Sequence, residues 1–426
     1  MIIETGKTMI VQSKFDCTGC SACYSICPMR CVSMDSDTEG FLYPVIDERN
    51  CTKCKECEKS CPVIVQGLAR KPLSIYATKN PNEEVRYNSS SGGVFTMLAE
   101  YIVKERGVVF GVRFNDEWEV IHDYTETMEG LATFRGSKYV QSIIGDTYKQ
   151  AKYFLENGRR VLYSGTPCQI AGLRTYLQNE YHNLLTVDFV CHGVPSPLVW
   201  KKYLDELMGQ YLCEESGVYN HHIQRINFKD KVNGWYSMTF TISYIMNKYI
   251  CDLPLADNDK QISLIMESAS KNSYMKGFLR DLFLRPSCYR CPARSLKSGS
   301  DITIADYWGI RNVLPEFDDG KGVSLVMVNT EIGRQVYGLL DKNDIETTFE
   351  DALAGNSTIE RNPYPRKMRD KFFRELHDKP IIPLIDRCAT FPLRIFLVKV
   401  CYALPRKLSM LYKLGLLSFI KKEIRK

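Results

Sequence analysis

Apolar positions recur along the chain at two different periods, and the change of period marks out its parts. Leu73–Ala77 has the alternation of a strand. Val94, Phe95, Leu98, Ala99, Ile102 and Val103 then have helical spacing, with Ser91 the expected N-cap and Gly107 the expected C′ residue. Val108–Phe114 reads as a strand, and Gly145–Asn157 as a helix stopped by Gly158. Arg160–Tyr163 is a strand again, followed by a helix that Thr166 caps, Pro167 opens and Gln178 roughly closes. Leu184–Val190 is the next strand, and Pro195 to about Tyr211 the next helix. Strands alternating with helices at this spacing predict a parallel α/β sheet.

Beyond Val218 the pattern changes. Ile223–Lys229 and Tyr236–Tyr244 read as strands of a second, more antiparallel part, and Ser273–Phe283 as a helix. Asp301–Ala305 and the apolar run Val323–Val328 are predicted strands. Ahead of all this, Gly40–Ile46 reads as a short strand, and Gln66–Pro72 as a linker.

The first sixty residues are set by cysteine rather than by period. Cys17, Cys20, Cys23 and Cys27-Pro28 form one C-x2-C-x2-C-x3-C-P run, and Cys51, Cys54, Cys57 and Cys61-Pro62 repeat it. This is the spacing of a bacterial ferredoxin with two [4Fe–4S] clusters. Three thiolates two residues apart reach three corners of one cube, and the fourth ligates the other cube. Cys17, Cys20, Cys23 and Cys61 are therefore assigned to one cluster, and Cys51, Cys54, Cys57 and Cys27 to the other. Zinc knuckles would need paired C-x2-C units without the Cys-Pro endings, and disulfides would need an oxidising compartment. Cys31 fits neither quartet and reads as a small buried hydrophobe.

Length adds two or three domains for 426 residues. The first ten residues contain Glu4 and no apolar h-region, so no signal peptide is expected. No run of about eighteen apolar residues predicts a membrane span. The reading is a cytoplasmic, reducing location, which keeps thiolate ligands from oxidation. The net charge of +6 is concentrated: from Arg387 onward ten bases face one acid, Glu423, giving +9 and leaving −3 on residues 1–386. The excess belongs to that segment and does not bear on the catalytic body. Apolar residues interleave with the bases there, in two helix-length pieces broken by Pro405, so a basic amphipathic tail with a peripheral contact at the inner membrane face is expected.

Several constellations carry candidate chemistry. Ser89-Ser90-Ser91-Gly92-Gly93 opens a helix, where free N–H groups and the dipole suit an anion and two glycines let a phosphate or flat ring approach. An ordinary Gly-rich helix entry has the same sequence. Arg135-Gly136-Ser137-Lys138-Tyr139 offers a cation and an aromatic ring beside an anionic cofactor, or forms a solvated loop. Cys168 and Cys191 each follow a predicted strand and precede a helix, at the sheet edge where α/β proteins place ligands. With Cys288 and Cys291 they make four thiols suited to a third [4Fe–4S] cluster, to zinc, or to burial as free cysteines; Cys168 alone also suits a redox thiol. Asp306-Tyr307-Trp308-Gly309 supplies aromatic rings against a flavin or against the core. His192, beside Cys191, is the candidate proton relay. His221 and His222 read as surface residues.

Taken together, Ser90-Ser91-Gly92-Gly93, Gly136-Ser137-Lys138-Tyr139, Gly165–Gln169, Cys191-His192-Gly193, the Cys288/Cys291 pair and Asp301–Gly309 resemble the family of coenzyme F420 hydrogenase/dehydrogenase beta subunits. The resemblance covers about Ser74 to Val328. It implies FAD in the α/β domain, electron flow between that flavin and iron–sulfur centres, and a cluster on Cys168, Cys191, Cys288 and Cys291. Ser90, Ser91, Gly92, Gly93, Gly136, Ser137, Lys138, Tyr139 and Asp306 would then hold the cofactor.

The expected architecture is α+β: a bacterial-type ferredoxin domain (1–70), an α/β flavin-binding domain with a mixed sheet (71–215), the remainder of the beta subunit (216–385) and the basic helical tail (386–426). The expected function is an iron–sulfur flavoprotein oxidoreductase serving an F420-like or other hydride acceptor or donor. The alternative is an electron-transfer subunit docked on a partner enzyme. Expected partners are a one-electron carrier or redox subunit and a small-molecule hydride donor or acceptor, with no nucleic acid.

Overall fold

The structure is a computed structural model and describes residues 10, 11, 13–210, 223–246 and 261–389. His221, His222 and the basic segment from Phe391 onward lie outside the described residues.

Thirteen strands are described. In the ferredoxin unit β1 (Val32–Ser36) pairs antiparallel with β2 (Leu42–Ile46). The body contains β3 (Ser74–Lys79), β4 (Val108–Phe114), β5 (Val120–Thr125), β6 (Val161–Ser164), β7 (Leu184–Phe189), β11 (Ile302–Asp306), β12 (Ser324–Val328) and β13 (Asn343–Glu346). These form one eight-stranded sheet in the order β13-β3-β12-β11-β7-β6-β4-β5. β4, β6, β7 and β11 are mutually parallel, and β5, β12 and β13 pair antiparallel with their neighbours. The sheet is thus mixed rather than purely parallel. A second sheet holds β8 (Ile223–Asp230), β9 (Thr239–Met246) and β10 (Gln261–Ser268), all antiparallel.

The central strands are predominantly apolar because both faces of the sheet are covered; all five residues of β12 are buried. On one face the helix Val94–Lys104 lays Val94, Met97, Leu98 and Ile102 over Val109, Leu162, Leu185 and Val326. On the other, the helices Thr147–Glu156 and Pro167–Leu177 lay Tyr148, Leu155, Ile170 and Leu173 over Val108, Phe110, Val161 and Tyr163. Each fully buried aliphatic such as Leu173 contributes about 1.5–3 kcal/mol. Cys20 and Ala22 of the ferredoxin unit belong to the same apolar cluster. Gly172 permits that: a Cβ there would fall 2.9 Å from the Cys20 Cβ. Three residues on, the Thr175 hydroxyl donates to the Ser60 carbonyl at 2.6 Å. The helix that begins at Pro167 therefore supports the ferredoxin unit from below.

Several boundaries differ from expectation. Gly93, at φ 85°, is the N-cap of the helix Val94–Lys104; Ser91 is engaged elsewhere, its hydroxyl donating to the Val323 carbonyl at 2.9 Å. The helix from Ser273 ends at Leu279, and Asp281 has a left-handed backbone (φ 57°). The helix after β7 spans Pro197–Gly209, with Ser196 accepting from the Val199 N–H as its cap. Strands on both sides of residue 215 share the large sheet, so no sheet boundary falls there. The helix Ile381–Ala389 runs past residue 386 with Cys388 and Ala389 buried.

Candidate functional site

Cys17, Cys20, Cys23 and Cys61 line one cavity, roofed by Ile10, Val11, Met34, Pro44 and Val63. The short helix Ala22–Ile26 presents Cys23, while Cys61 arrives from the second quartet. Burial, and then the neighbouring Cys61 and Cys17, push the Cys20 thiol up to about 12. Bare thiols crowded in an apolar wall resist ionising; iron bound among them reverses that, so the donor set fits a cluster. In the second quartet Cys57 senses Cys27 across the sequence gap, and Cys54 is exposed. Cys31 is buried, as expected, yet its sulfur lies 3.4 Å from that of Cys27, in the neighbourhood of the second quartet.

A second cysteine cavity lies at the carboxyl edge of the large sheet. Cys168 follows β6, Cys191 follows β7, and Cys288 and Cys291 come from the turn Pro286–Arg290 and its end; all four line the cavity with Phe189, Val190, Leu296 and Thr18. Burial comes first in pushing the Cys168 thiol well above its usual range, with added repulsion from Cys291, Cys191 and Cys288. Burial likewise lifts Cys191 to about 12 and Cys288 to about 11. Thr166 Oγ1 lies 3.1 Å from Cys168 Sγ, and the Val194 N–H donates to Cys288 Sγ at 3.4 Å. Among the described residues, no three His, Cys, Asp or Glu side chains converge as they would on one metal ion. Thr18 belongs to the Cys17–Cys20 loop and lines both cavities, so the two cysteine sites share a wall.

The expected cofactor residues fall into two groups. Ser90 and Ser137 meet: the Ser137 N–H and hydroxyl lie 2.8 and 3.0 Å from Ser90 Oγ. The entrance of the helix Val94–Lys104 thus faces the Gly136 loop. No side chain caps that helix. Gly136 (φ 81°) has open space where a Cβ would stand, and Arg135 Nε is buried without a hydrogen-bond partner. Those features fit an anionic group such as a flavin pyrophosphate. Gly92 and Lys138 depart from their expected roles. A Cβ on Gly92 would collide with the Thr78 carbonyl and stand 2.7 Å from the Ser324 nitrogen, so protein backbone fills that approach. The Lys138 amine donates to the Thr133 and Arg135 carbonyls, both at 2.9 Å, and burial lowers it to about 7.

Asp306, at the carboxyl end of β11, pairs with Lys229 of β8 at 2.5 Å and accepts from Trp235 Nε1 at 3.2 Å. Lys229 sits over the Trp308 ring, which stacks on Trp235 at 5.2 Å. Tyr139 stacks on Phe278 at 4.5 Å, and the same Phe278 ring meets His192 edge-on at 5.2 Å. His192 Nε2 lies 2.6 Å from Asp281 Oδ1. Phe278 thereby joins the Tyr139 side to Cys191. Sequence reasoning missed Lys229, Phe278 and Asp281. Lys229 carries no motif, and Asp281 follows a helix whose end the apolar pattern places too late.

Two cysteine quartets folded into a ferredoxin unit, beside a mixed sheet with four more cysteines at its carboxyl edge, define an iron–sulfur redox protein. Residues 16–65 match the 4Fe-4S dicluster domain, which holds two [4Fe–4S] clusters, and residues 158–351 match the C terminus of the coenzyme F420 hydrogenase/dehydrogenase beta subunit. Over residues 158–351 the chain is similar to these beta subunits, with a dicluster domain ahead of the match. It is 21% identical over 185 residues to the F subunit of F(420)H(2) dehydrogenase from Methanosarcina mazei, covering 40% of this chain and 51% of that protein. It is 25% identical over 192 residues to the coenzyme F420-dependent sulfite reductase of Methanocaldococcus jannaschii, covering 44% of this chain and 29% of that protein. The chain thus spans about half or less of the curated relatives it matches. A chain in a xenon-derivatised F420-reducing [NiFe] hydrogenase complex from Methanosarcina barkeri aligns with 12% identity and a TM-score of 0.40 over 78% of this chain and 93% of that one, too distant to add to the argument.

Proposed function

We propose that the protein is an iron–sulfur flavoprotein that passes electrons between its ferredoxin clusters and FAD bound at the carboxyl edge of the large sheet. The observation that carries this reading is the shared wall: the cavity of Cys168, Cys191, Cys288 and Cys291 includes Thr18, which also lines the cavity of Cys17, Cys20, Cys23 and Cys61. In this reading Cys17, Cys20, Cys23 and Cys61 hold one cluster, Cys51, Cys54, Cys57 and Cys27 a second, and the other four cysteines a third. Ser90, Ser137, Gly136 and Arg135 hold the FAD phosphates, with Tyr139 and Asp306 nearby. When bound, the flavin exchanges a hydride with a small molecule and single electrons with the clusters. The buried Leu296 and the partly buried Val190 keep the wall of the third site apolar. Asp281 orients His192 beside Cys191 as a proton carrier.

The substrate class is a hydride donor or acceptor of the deazaflavin kind, on the strength of the two relatives' names. The name of the first relative, one subunit of a dehydrogenase, also favours a second reading, in which this chain relays electrons within a larger complex. Iron, sulfide and flavin analysis of anaerobically purified protein tests the first reading, followed by assay of coenzyme F420 bleaching with reduced viologen as the electron donor. Bound FAD with turnover supports it. Bound clusters without flavin or turnover support the relay, and protein without iron excludes both.

A further inference from the structure

Arg285 is fully buried, yet among the described residues it makes no ion pair with a carboxylate. A lone buried guanidinium is costly unless hydrogen bonds and an opposite charge offset it. Its hydrogen bonds all lead to the ferredoxin unit or to the residue that braces it. Nε donates to the Cys17 carbonyl at 2.8 Å, and Nη2 donates to the Leu42 carbonyl at 2.9 Å. Nη2 also lies 3.7 Å from Cys17 Sγ, within hydrogen-bonding reach of sulfur. Nη1 donates to Gln141 Oε1 at 2.9 Å, and Gln141 Nε2 donates in turn to the Thr18 carbonyl at 3.2 Å. The guanidinium lies over the Tyr43 ring, 4.2 Å from its centroid. Gly19 makes room for it, since a Cβ there would stand 2.7 Å from Nη1.

The other end of Arg285 belongs to the second cysteine cavity. Its carbonyl accepts from the Cys288 N–H at 3.0 Å, and its own N–H donates to the Val194 carbonyl at 2.9 Å. One residue therefore links the two cavities, with its cation directed at the first.

Resting on the assignment of Cys17, Cys20, Cys23 and Cys61 as ligands of one cluster, we infer that Arg285 is the buried counter-charge of that cluster and raises its reduction potential above that of the second cluster. A cube held by four thiolates is net anionic and gains a further negative charge on reduction. A cation and an N–H donor at a ligand sulfur therefore stabilise the reduced form more than the oxidised one. The effect is local, because no comparable guanidinium is recorded at a sulfur of the Cys51, Cys54 and Cys57 group among the described residues. The cluster nearer the second cavity then becomes the better electron acceptor of the ferredoxin pair.

Redox titration followed by EPR on anaerobically purified full-length protein tests this, using wild type, Arg285→Gln, Arg285→Lys and Gln141→Glu. The expected result is that Arg285→Gln lowers one ferredoxin-cluster potential while leaving the other in place. At a fixed solution potential the reduced fraction of that cluster should fall about tenfold relative to the oxidised, which is about 59 mV for one electron. Gln141→Glu, which sets a carboxylate against the guanidinium, should shift the same cluster in the same direction, and Arg285→Lys should shift it less. Should Arg285→Gln fail to fold, the other two variants carry the test. Unchanged potentials in variants that retain full iron overturn the role of Arg285. A wild-type protein with fewer than about eight irons overturns instead the cluster assignment on which it rests.

Discussion

Arg369 grips Glu39 through two hydrogen bonds of 3.0 and 2.5 Å. Glu39 lies between the two cysteine quartets, and Arg369 lies on a late helix, Arg369–Glu375. Arg369 is buried and also donates to the Leu284 carbonyl at 3.1 Å. The ferredoxin unit is thus clasped by the far end of the chain. Breaking a fully buried pair costs about 3–5 kcal/mol, and Glu39 still reaches water, so Arg369→Ala should cost about 2 kcal/mol. Denaturant unfolding followed by the iron–sulfur absorbance measures it. An unchanged midpoint would show the clasp to be ornamental.

The second cluster makes a sharper prediction than the first. Cys54→Ser should remove that cluster, since no spare sulfur is recorded beside Cys54 among the described residues. Cys27→Ser should retain more iron, because the Cys31 sulfur stands 3.4 Å from that of Cys27 and can take its place. Cys31→Ala should keep about eight irons in the ferredoxin unit. Iron analysis and EPR of the reduced proteins decide; equal iron loss in Cys27→Ser and Cys54→Ser would remove Cys31 as a substitute ligand.

The cavity behind Thr18 predicts an iron count. Reconstituted protein should hold about twelve irons per chain, and Cys168→Ala should bring that to about eight. Saturation near eight in the wild type, unchanged by Cys168→Ala, would leave the four cysteines without a cluster, and zinc in their place would appear directly in the metal analysis.

How much of this was legible in the sequence depends on the range of the interaction. Cluster ligation is local, so the two quartets could be read from spacing alone. The sheet-edge positions of Cys168 and Cys191 followed from strand-to-helix junctions, which are also local. Cys288 and Cys291 could be grouped with them only by their chemistry, because the second sheet intervenes in the chain. The edge strand β13, with one apolar residue in Asn343–Glu346, carries no periodic signal. Arg285 carries no motif in the sequence, and its burial depends on a loop 268 positions away. Gly92 and Gly136 both read as cofactor residues in the sequence; only the packing of β3 and β12 distinguishes them.

His122 gives a pH signature. It is buried beneath the Ser164 carbonyl, and burial lowers its pKa from 6.5 to about 4. The unfolded chain therefore binds a proton between those values that the folded protein does not. Stability is fully present above pH 6.5 and declines as the pH falls toward 4. The loss at pH 5 should be about 2 kcal/mol. His122→Gln, which cannot titrate, should flatten that part of the profile. Parallel profiles for the two proteins between pH 5 and 7 would show that His122 is not the group responsible.

The flavin assignment is tested by two glycines with opposite surroundings. At Gly92 a side chain would meet the Thr78 carbonyl and Ser324, which are fixed by the pairing of β3 with β12. Gly92→Val should therefore damage the fold whether or not a flavin binds nearby, and its result says nothing about the cofactor. Gly136 has open space beside it and a positive φ of 81°. An alanine there pays backbone strain of about 1 kcal/mol, which a domain of this size tolerates. The new methyl group enters the space beside Ser137 and Arg135, whose Nε is buried without a partner, where an FAD phosphate would lie. Gly136→Ala should accordingly keep its iron and its unfolding midpoint within about 1 kcal/mol of wild type, and lose most of its FAD. Flavin content after desalting, read beside iron content in the same sample, separates these effects. A Gly136→Ala protein as yellow as the wild type would move the flavin away from this loop and toward the Lys229, Asp306 and Trp308 side of the sheet edge.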